Sequence, residues 1–238
     1  MSKKPKLTAD EMKKAAALAV LPKIQDGMIV GLGTGSTANH FINALAEKAK
    51  AGLNVKCIPT SQASAKLAQS LGLTLTTLDE HPFVDITVDG TDEIDGSFRL
   101  IKGGGGALLL EKIVASSSKY MVVIADESKQ VKQLGAFPLP IEVVPWGVKA
   151  TAWKIERALK MVEVETKMTL RSRDGQTFRT DAGNCIIDCA CGALKQEDRL
   201  EYALNNIPGV VNNGLFVGIC GIAYIAHADG KVEELYRP

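Results

Sequence analysis

Residues Lys102 to Lys112 read KGGGGALLLEK and hold the types most able to do chemistry in this chain. Four consecutive glycines remove every Cβ from a loop, leave its N–H groups able to point at a ligand, and permit positive φ. The pattern predicts a helix from about Ala107, so loop amides and helix N-terminus would offer partial positive charge to one anion. On that helix Leu109, Leu110, Ile113 and Val114 form an apolar arc, with Ala107, Glu111 and Ala115 along its edge. A carboxylate beside the core, close to an anion-binding loop that carries its own Lys102, has the makings of a general base facing an oxyanion site. The alternative is a flexible loop followed by a solvated Glu111/Lys112 pair.

Two further stretches could bind a small anionic or polyhydroxylated ligand. Gly31 to Thr37, GLGTGST, invites a dinucleotide reading, but a G-x-G-x-x-G count from Gly31 places Ser36 where the third glycine belongs. No acidic residue ends the next strand at Ile58, and no lysine follows the glycines as a Walker A loop needs. What remains is a loop whose amides and hydroxyls at Thr34, Ser36 and Thr37 suit one phosphate or sugar hydroxyls, or else a tight turn capped by Ser36. In DGTDEID, the residues Asp89, Asp92, Glu93 and Asp95 do not have calcium-loop spacing. Paired carboxylates at a strand end can hold sugar hydroxyls and pass protons between them without metal; the alternative is a solvated acidic turn. His40, His81 and His227 are scattered, and no G-x-S-x-G nucleophile signature occurs.

The elements that must position these residues alternate. Thr8-Ala-Asp-Glu11 is a capping box before an alanine-rich helix that ends by Pro22 and carries Lys13 and Lys14. Strands are predicted at 28–32, 55–58, 73–76, 83–88 and 120–125, with helices after the first two and a short apolar piece at 99–101. Such alternation predicts an α/β fold: a Rossmann-like, mostly parallel sheet with helices on both faces. Ligands of such sheets bind beyond the strands' carboxyl ends, and the four loops singled out, Asp126-Glu-Ser-Lys129 included, are expected there. From Gly135 the texture becomes proline-punctuated. A helix at 149–160, strands near 166–171, 177–180 and 185–189, and a helix at 196–205 predict an inserted, small ferredoxin-like α+β domain. The expected division is 1–134 with 208–238, and 135–207.

Composition narrows the function. A net charge of +1, from 28 basic and 27 acidic residues, gives no electrostatic case for nucleic acid or anionic membrane. Five cysteines in apolar contexts fit a reducing compartment, and Cys185, Cys189 and Cys191 lack a second cluster at zinc-ligand spacing. MSKKPKLTADEMKK is too polar for a signal peptide, so a cytoplasmic location is expected.

In this order and at these spacings, GTGSTA, DGTDEID, KGGGGALLLEK and ADESK closely resemble type A ribose-5-phosphate isomerase. TADEMKK, LGAFPLPIEVVP and NNIPGVV extend the likeness over nearly the whole chain. The resemblance implies interconversion of D-ribose 5-phosphate and D-ribulose 5-phosphate in the non-oxidative pentose phosphate pathway, without metal or organic cofactor. It implies Glu111 as base; Thr34, Gly35, Ser36 and Thr37 as substrate ligands; and Asp89, Gly90, Thr91 and Asp92 along the sugar. Lys102, Gly103, Gly104 and Gly105 would join them, Lys102 at the developing enediolate, with Lys129 and Lys13 reaching the phosphate. It also implies a homodimer or homotetramer. A sugar-phosphate sensor is the competing reading, but it would need neither Glu111 nor Lys102 and would normally be joined to a helix-turn-helix.

Overall fold

The structure, a computed structural model, describes residues 6–238; the first five residues of the polar N-terminal segment lie outside it. In chain order the helices are α1 (Ala9–Val20), α2 (Ser36–Lys50), α3 (Gln62–Ser70), α4 (Leu108–Ser116), α5 (Val148–Met161) and α6 (Glu197–Asn205). The strands of the first half are β1 (Ile29–Leu32), β2 (Lys56–Pro59), β3 (Thr74–Leu75), β4 (Ile86–Asp89), β5 (Glu93–Ile94), β6 (Leu100–Ile101) and β7 (Met121–Asp126). Then follow β8 (Leu139–Val143), β9 (Lys167–Leu170), β10 (Ser172–Arg173), β11 (Gln176–Thr177) and β12 (Cys185–Ala190). The last are β13 (Val210–Asn213), β14 (Leu215–Phe216), β15 (Cys220–Ala226) and β16 (Val232–Tyr236). None of the helices among the described residues is long and apolar enough to cross a membrane.

The chain divides into two compact units: Met1–Thr91, Leu110–Gln130 and Ile219–Pro238 form one, Asp92–Leu109 and Val131–Gly218 the other. The expected boundaries at 134/135 and 207/208 differ from this division, which gives residues 92–109, 131–134 and 208–218 to the second unit.

The first unit is built on a seven-stranded sheet of order β16-β15-β7-β4-β1-β2-β3, parallel except for the β15/β16 pair. Its strands alternate between two covered faces, as parallel strands do. Val30, Leu32, Ile86 and Val88 pack with Ala16, Val20, Phe41, Ile42 and Leu45 of α1 and α2. Ile29 and Ile58 face the other way and pack with Val114 of α4. The predicted capping box starts α1: Glu11 N donates to the Thr8 hydroxyl at 3.3 Å, and Thr8 N to the Glu11 carboxylate at 2.7 Å.

The second unit holds a four-stranded antiparallel sheet, β13-β8-β12-β9, in a β-α-β-β-α-β sequence with α5 and α6. This is the expected ferredoxin-like layout, but two of its strands escaped the sequence reading. Pro140 in LPIEV concealed β8, the strand in register with both β12 and β13, and β13 itself was not expected; a proline in a strand ordinarily argues for an edge. The strand expected at 177–180 is instead a two-residue piece paired with β10 in a separate hairpin. A three-stranded sheet, β14-β6-β5, completes this unit. The glycine-rich loop leaves β6, so three of the four loops, and not all four, follow strands of the parallel sheet.

Candidate active site

In the first unit the strand register itself assembles a site. β1 lies between β4 and β2, with Leu32 opposite Val88 on one side and Pro59 on the other. One step further along, Gly33, Asp89 and Thr60 become neighbours. Asp89 is fully buried, and its Oδ1 accepts the Thr34 N–H at 3.0 Å and the Gly90 N–H at 2.7 Å. A Cβ on Gly33 would come within 2.1 Å of that carboxylate and 2.6 Å of the Asp89 Cα, so only glycine allows the approach. Thr34 Oγ1 shares hydrogen bonds of 2.8 Å with the hydroxyls of Thr60 and of Ser61, the N-cap of α3.

Gly35, at φ 107, turns the loop into α2 and is its N-cap, with no side-chain capping bond. This corrects the capping role considered for Ser36. Ser36 is the first residue of the helix, and its hydroxyl accepts from the Lys13 ammonium at 3.1 Å. The start of α2, the Lys13 ammonium and the Ser36 hydroxyl are thus neighbours in the first unit, with the unpaired amides of a helix N-terminus beside a cation. Thr37 stands beside Gly90, whose added Cβ would lie 3.7 Å from the Thr37 Cβ. Asp126 closes β7 by accepting from Ser128, and the single turn Glu127–Lys129 that it caps presents the half-buried Lys129.

α4 is seated on the sheet through Val114, which would meet a Cβ on Gly31 at 2.8 Å. Glu111 lies one turn earlier and is only 4 % exposed. The buried residues of this stretch are Ala107, Leu108, Glu111, Lys112, Val114 and Ala115. Of the expected arc of Leu109, Leu110, Ile113 and Val114, Val114 is buried, Leu109 and Leu110 are half-buried and Ile113 is 41 % exposed, while Glu111 lies within the buried face instead of at its edge.

In the second unit the acidic stretch divides its labour. Glu93 accepts the Gly135 N–H at 2.6 Å and the Phe137 N–H at 2.5 Å. Asp95 accepts the Ser97 and Arg99 amides, each at 2.9 Å, and the Arg99 guanidinium. These two carboxylates fasten the fold. Asp92 accepts from Gly104 N at 2.8 Å and so holds the glycine loop. Gly103 takes φ 106, where an added Cβ would also strike Leu108 at 2.8 Å. Gly104 and Gly105 are exposed. Lys102 is 2 % exposed, its N–H bonded to Gly214 O at 2.9 Å and its ammonium 5.6 Å from the centre of the Phe216 ring.

Sequence reasoning missed the residues that hold these loops. Thr60 and Ser61 were readable as the next strand's end, but Arg171, Phe178 and Asp188 gave no signal: they stand in a charged hairpin and on a cysteine-bearing strand, each remote in sequence from what it touches.

The profile of the family described as ribose 5-phosphate isomerase A (phosphoriboisomerase A) matches residues 56–230. Among curated relatives, the ribose-5-phosphate isomerase A of Parvibaculum lavamentivorans is 55% identical over 225 residues, covering 94% of this chain and 97% of its own length. That of Brucella suis biovar 1 is 51% identical over 222 residues, covering 93% and 96%. A solved D-ribose-5-phosphate isomerase in complex with phospho-erythronic acid superposes with a TM-score of 0.90 at 38% identity, over 97% of this chain and 100% of the other. The Plasmodium falciparum ribose 5-phosphate isomerase gives 0.90 at 39% identity, over 95% and 98%.

Proposed function

This chain belongs to the ribose 5-phosphate isomerase A family and interconverts D-ribose 5-phosphate and D-ribulose 5-phosphate, and we propose that Glu111 is the base that does so. The observation that carries this assignment is a carboxylate buried on the helix that directly follows a four-glycine loop bearing a buried lysine.

The carbonyl must move from C1 to C2. Glu111 takes the proton from C2, the C–H electron pair forms the C1–C2 double bond, and the former carbonyl oxygen gains the charge of an enediolate. Return of the proton to C1 and transfer of the O2 proton to O1 complete the ketose, with no net oxidation. Such an intermediate forms at a useful rate only against fixed donors, a role we assign to Lys102 and the amides of Gly103 and Gly105, the Gly104 N–H being engaged by Asp92. Asp89 or Asp92 assists ring opening and carries hydroxyl protons; Gly90 and Thr91 lie along the sugar. Thr34 to Thr37, Lys129 and Lys13 take the phosphate, whose binding far from the reacting carbons supplies orientation. The reaction proposed uses no metal or organic cofactor.

Glu111→Gln tests the assignment. Turnover is expected to fall by at least about a thousandfold, while ribose 5-phosphate still raises the melting temperature; retained turnover removes Glu111 from the base role.

We further infer a cytoplasmic enzyme of the non-oxidative pentose phosphate pathway that forms a homodimer, with a tetramer as the alternative. Support for assembly comes from the second unit, where Trp146, Trp153, Met161 and Tyr202 are exposed.

A further inference from the structure

The glycine loop is shaped by a residue from a different part of the second unit. Arg171 follows β9, and its guanidinium, 14 % exposed, lies under the loop. Its Nη1 donates to Gly103 O at 2.8 Å and to Gly104 O at 3.2 Å. Its other edge grips Asp188 of β12, Nε donating to Oδ2 at 2.8 Å and Nη2 to Oδ1. Phe178 completes the support: its N–H donates to Arg171 O at 2.9 Å, and its ring occupies the space beside Gly106, where a Cβ would meet it at 2.5 Å.

A trans peptide points its C=O and N–H in opposite directions, and no peptide among the described residues is cis. The Gly103–Gly104 unit is thus held at both ends, its carbonyl by Arg171 and its N–H by Asp92. The Gly104 carbonyl is drawn the same way, which turns the Gly105 N–H away from Arg171. We propose that Arg171, fixed by Asp188, is a positioning residue for catalysis: it sets the glycine-loop peptides so that the Gly105 amide faces the oxygen that becomes negative in the enediolate. The inference rests on the assignment of the loop amides as enediolate donors. A cation on the carbonyl side also polarises these peptides and strengthens their N–H groups as donors. Lysine cannot substitute, because an ammonium lacks the planar fork that spans a carboxylate and two carbonyls.

The test compares Arg171→Ala, Arg171→Lys and Arg173→Ala in steady-state kinetics with ribose 5-phosphate and in thermal melts. Arg173 also lies over Phe178, 4.7 Å from the ring centre, and serves as the control. For Arg171→Ala the expected result is a kcat about 100-fold lower with KM within about threefold, the pattern of a lost transition-state donor. Arg171→Lys falls nearly as far, and Arg173→Ala matches the parent. Millimolar guanidinium restores about a tenth of the parent kcat in Arg171→Ala by refilling the site between Asp188 and the two carbonyls. A kcat for Arg171→Ala within about threefold of the parent overturns the proposal. So does a loss in a variant that melts normally, raises KM in proportion and ignores guanidinium. Should Arg171→Ala fail to fold, Arg171→Lys decides, and an unchanged kcat there is fatal. Glu111→Gln run alongside separates the two assignments: if it retains turnover the base reading fails, whereas a dead Glu111→Gln beside an active Arg171→Ala sinks only the role of Arg171.

Discussion

Two glycine-rich loops are held by different kinds of anchor. The loop Gly33–Thr37 is fixed by the strands on either side of it: Asp89 ends β4, Thr60 follows β2, and the ladder of β1 with both delivers them to the N–H and the hydroxyl of Thr34. The loop Gly103–Gly106 follows a strand of two residues, and its shape comes from Asp92, twelve positions earlier, and Arg171, up to 68 positions later. The first is rigid because the sheet is rigid. The second is only as well placed as a separate set of side chains makes it.

Alanine at corresponding points breaks or sharpens this contrast. Gly33→Ala has the largest expected effect on stability, because the new methyl meets the Asp89 backbone as well as its carboxylate and neither strand can move alone. A loss of about 3 kcal/mol or more is expected in denaturant melts, with activity lost as well. Gly104→Ala places its methyl 2.8 Å from Asp92 Oδ1 and 2.9 Å from the Phe137 ring, both side-chain ends that can shift. Its cost in stability is expected to be about 1 kcal/mol, with kcat falling because Asp92 is displaced. Equal destabilisation by the two substitutions would end the distinction between the loops. Glu93→Gln comes between them: Gly135 and Phe137 donate to different carboxylate oxygens, so the amide keeps one of these bonds in weaker, neutral form and leaves the other N–H facing an NH2, at about 2 kcal/mol by chemical denaturation.

The same contrast explains what the sequence made legible. A strand, a Gly/Ser/Thr loop and a helix follow one another at positions 28–50, so the first site could be read locally, Lys13 with its capping box included. The proposed base could be picked out because a four-glycine loop announces itself, although the face of α4 could not: hydrophobicity alone chose Ile113 for the interior, whereas Glu111 and Lys112 are buried and Ile113 is exposed. DGTDEID showed four carboxylates without showing that Glu93 and Asp95 serve backbone amides and Arg99. Arg171 and Asp188 were invisible because their partners are carbonyls in a distant loop, and a carbonyl leaves no mark on the sequence.

The smallest effect concerns a second buried anchor of the hairpin region. Glu142, on β8, is fully buried; its Oε1 accepts from the Thr180 hydroxyl and the Asn184 amide, each at 2.9 Å, while its Oε2 has no hydrogen-bond partner among the described residues. Burial pushes this carboxyl above the ordinary glutamate range, against the opposing pull of Asn184 and Thr180. The folded state therefore keeps a proton that the unfolded chain releases near pH 4.3. Stability from this group is complete below that pH and declines as pH rises through the raised folded value. Glu142→Gln keeps an oxygen for both donors and removes the titration. Melting temperatures measured from pH 4 upward should favour the wild type least at the high end, the two curves converging or crossing as pH increases. Curves that stay parallel would show that Glu142 is ionised at no cost, and that the hairpin's buried anchor tolerates charge.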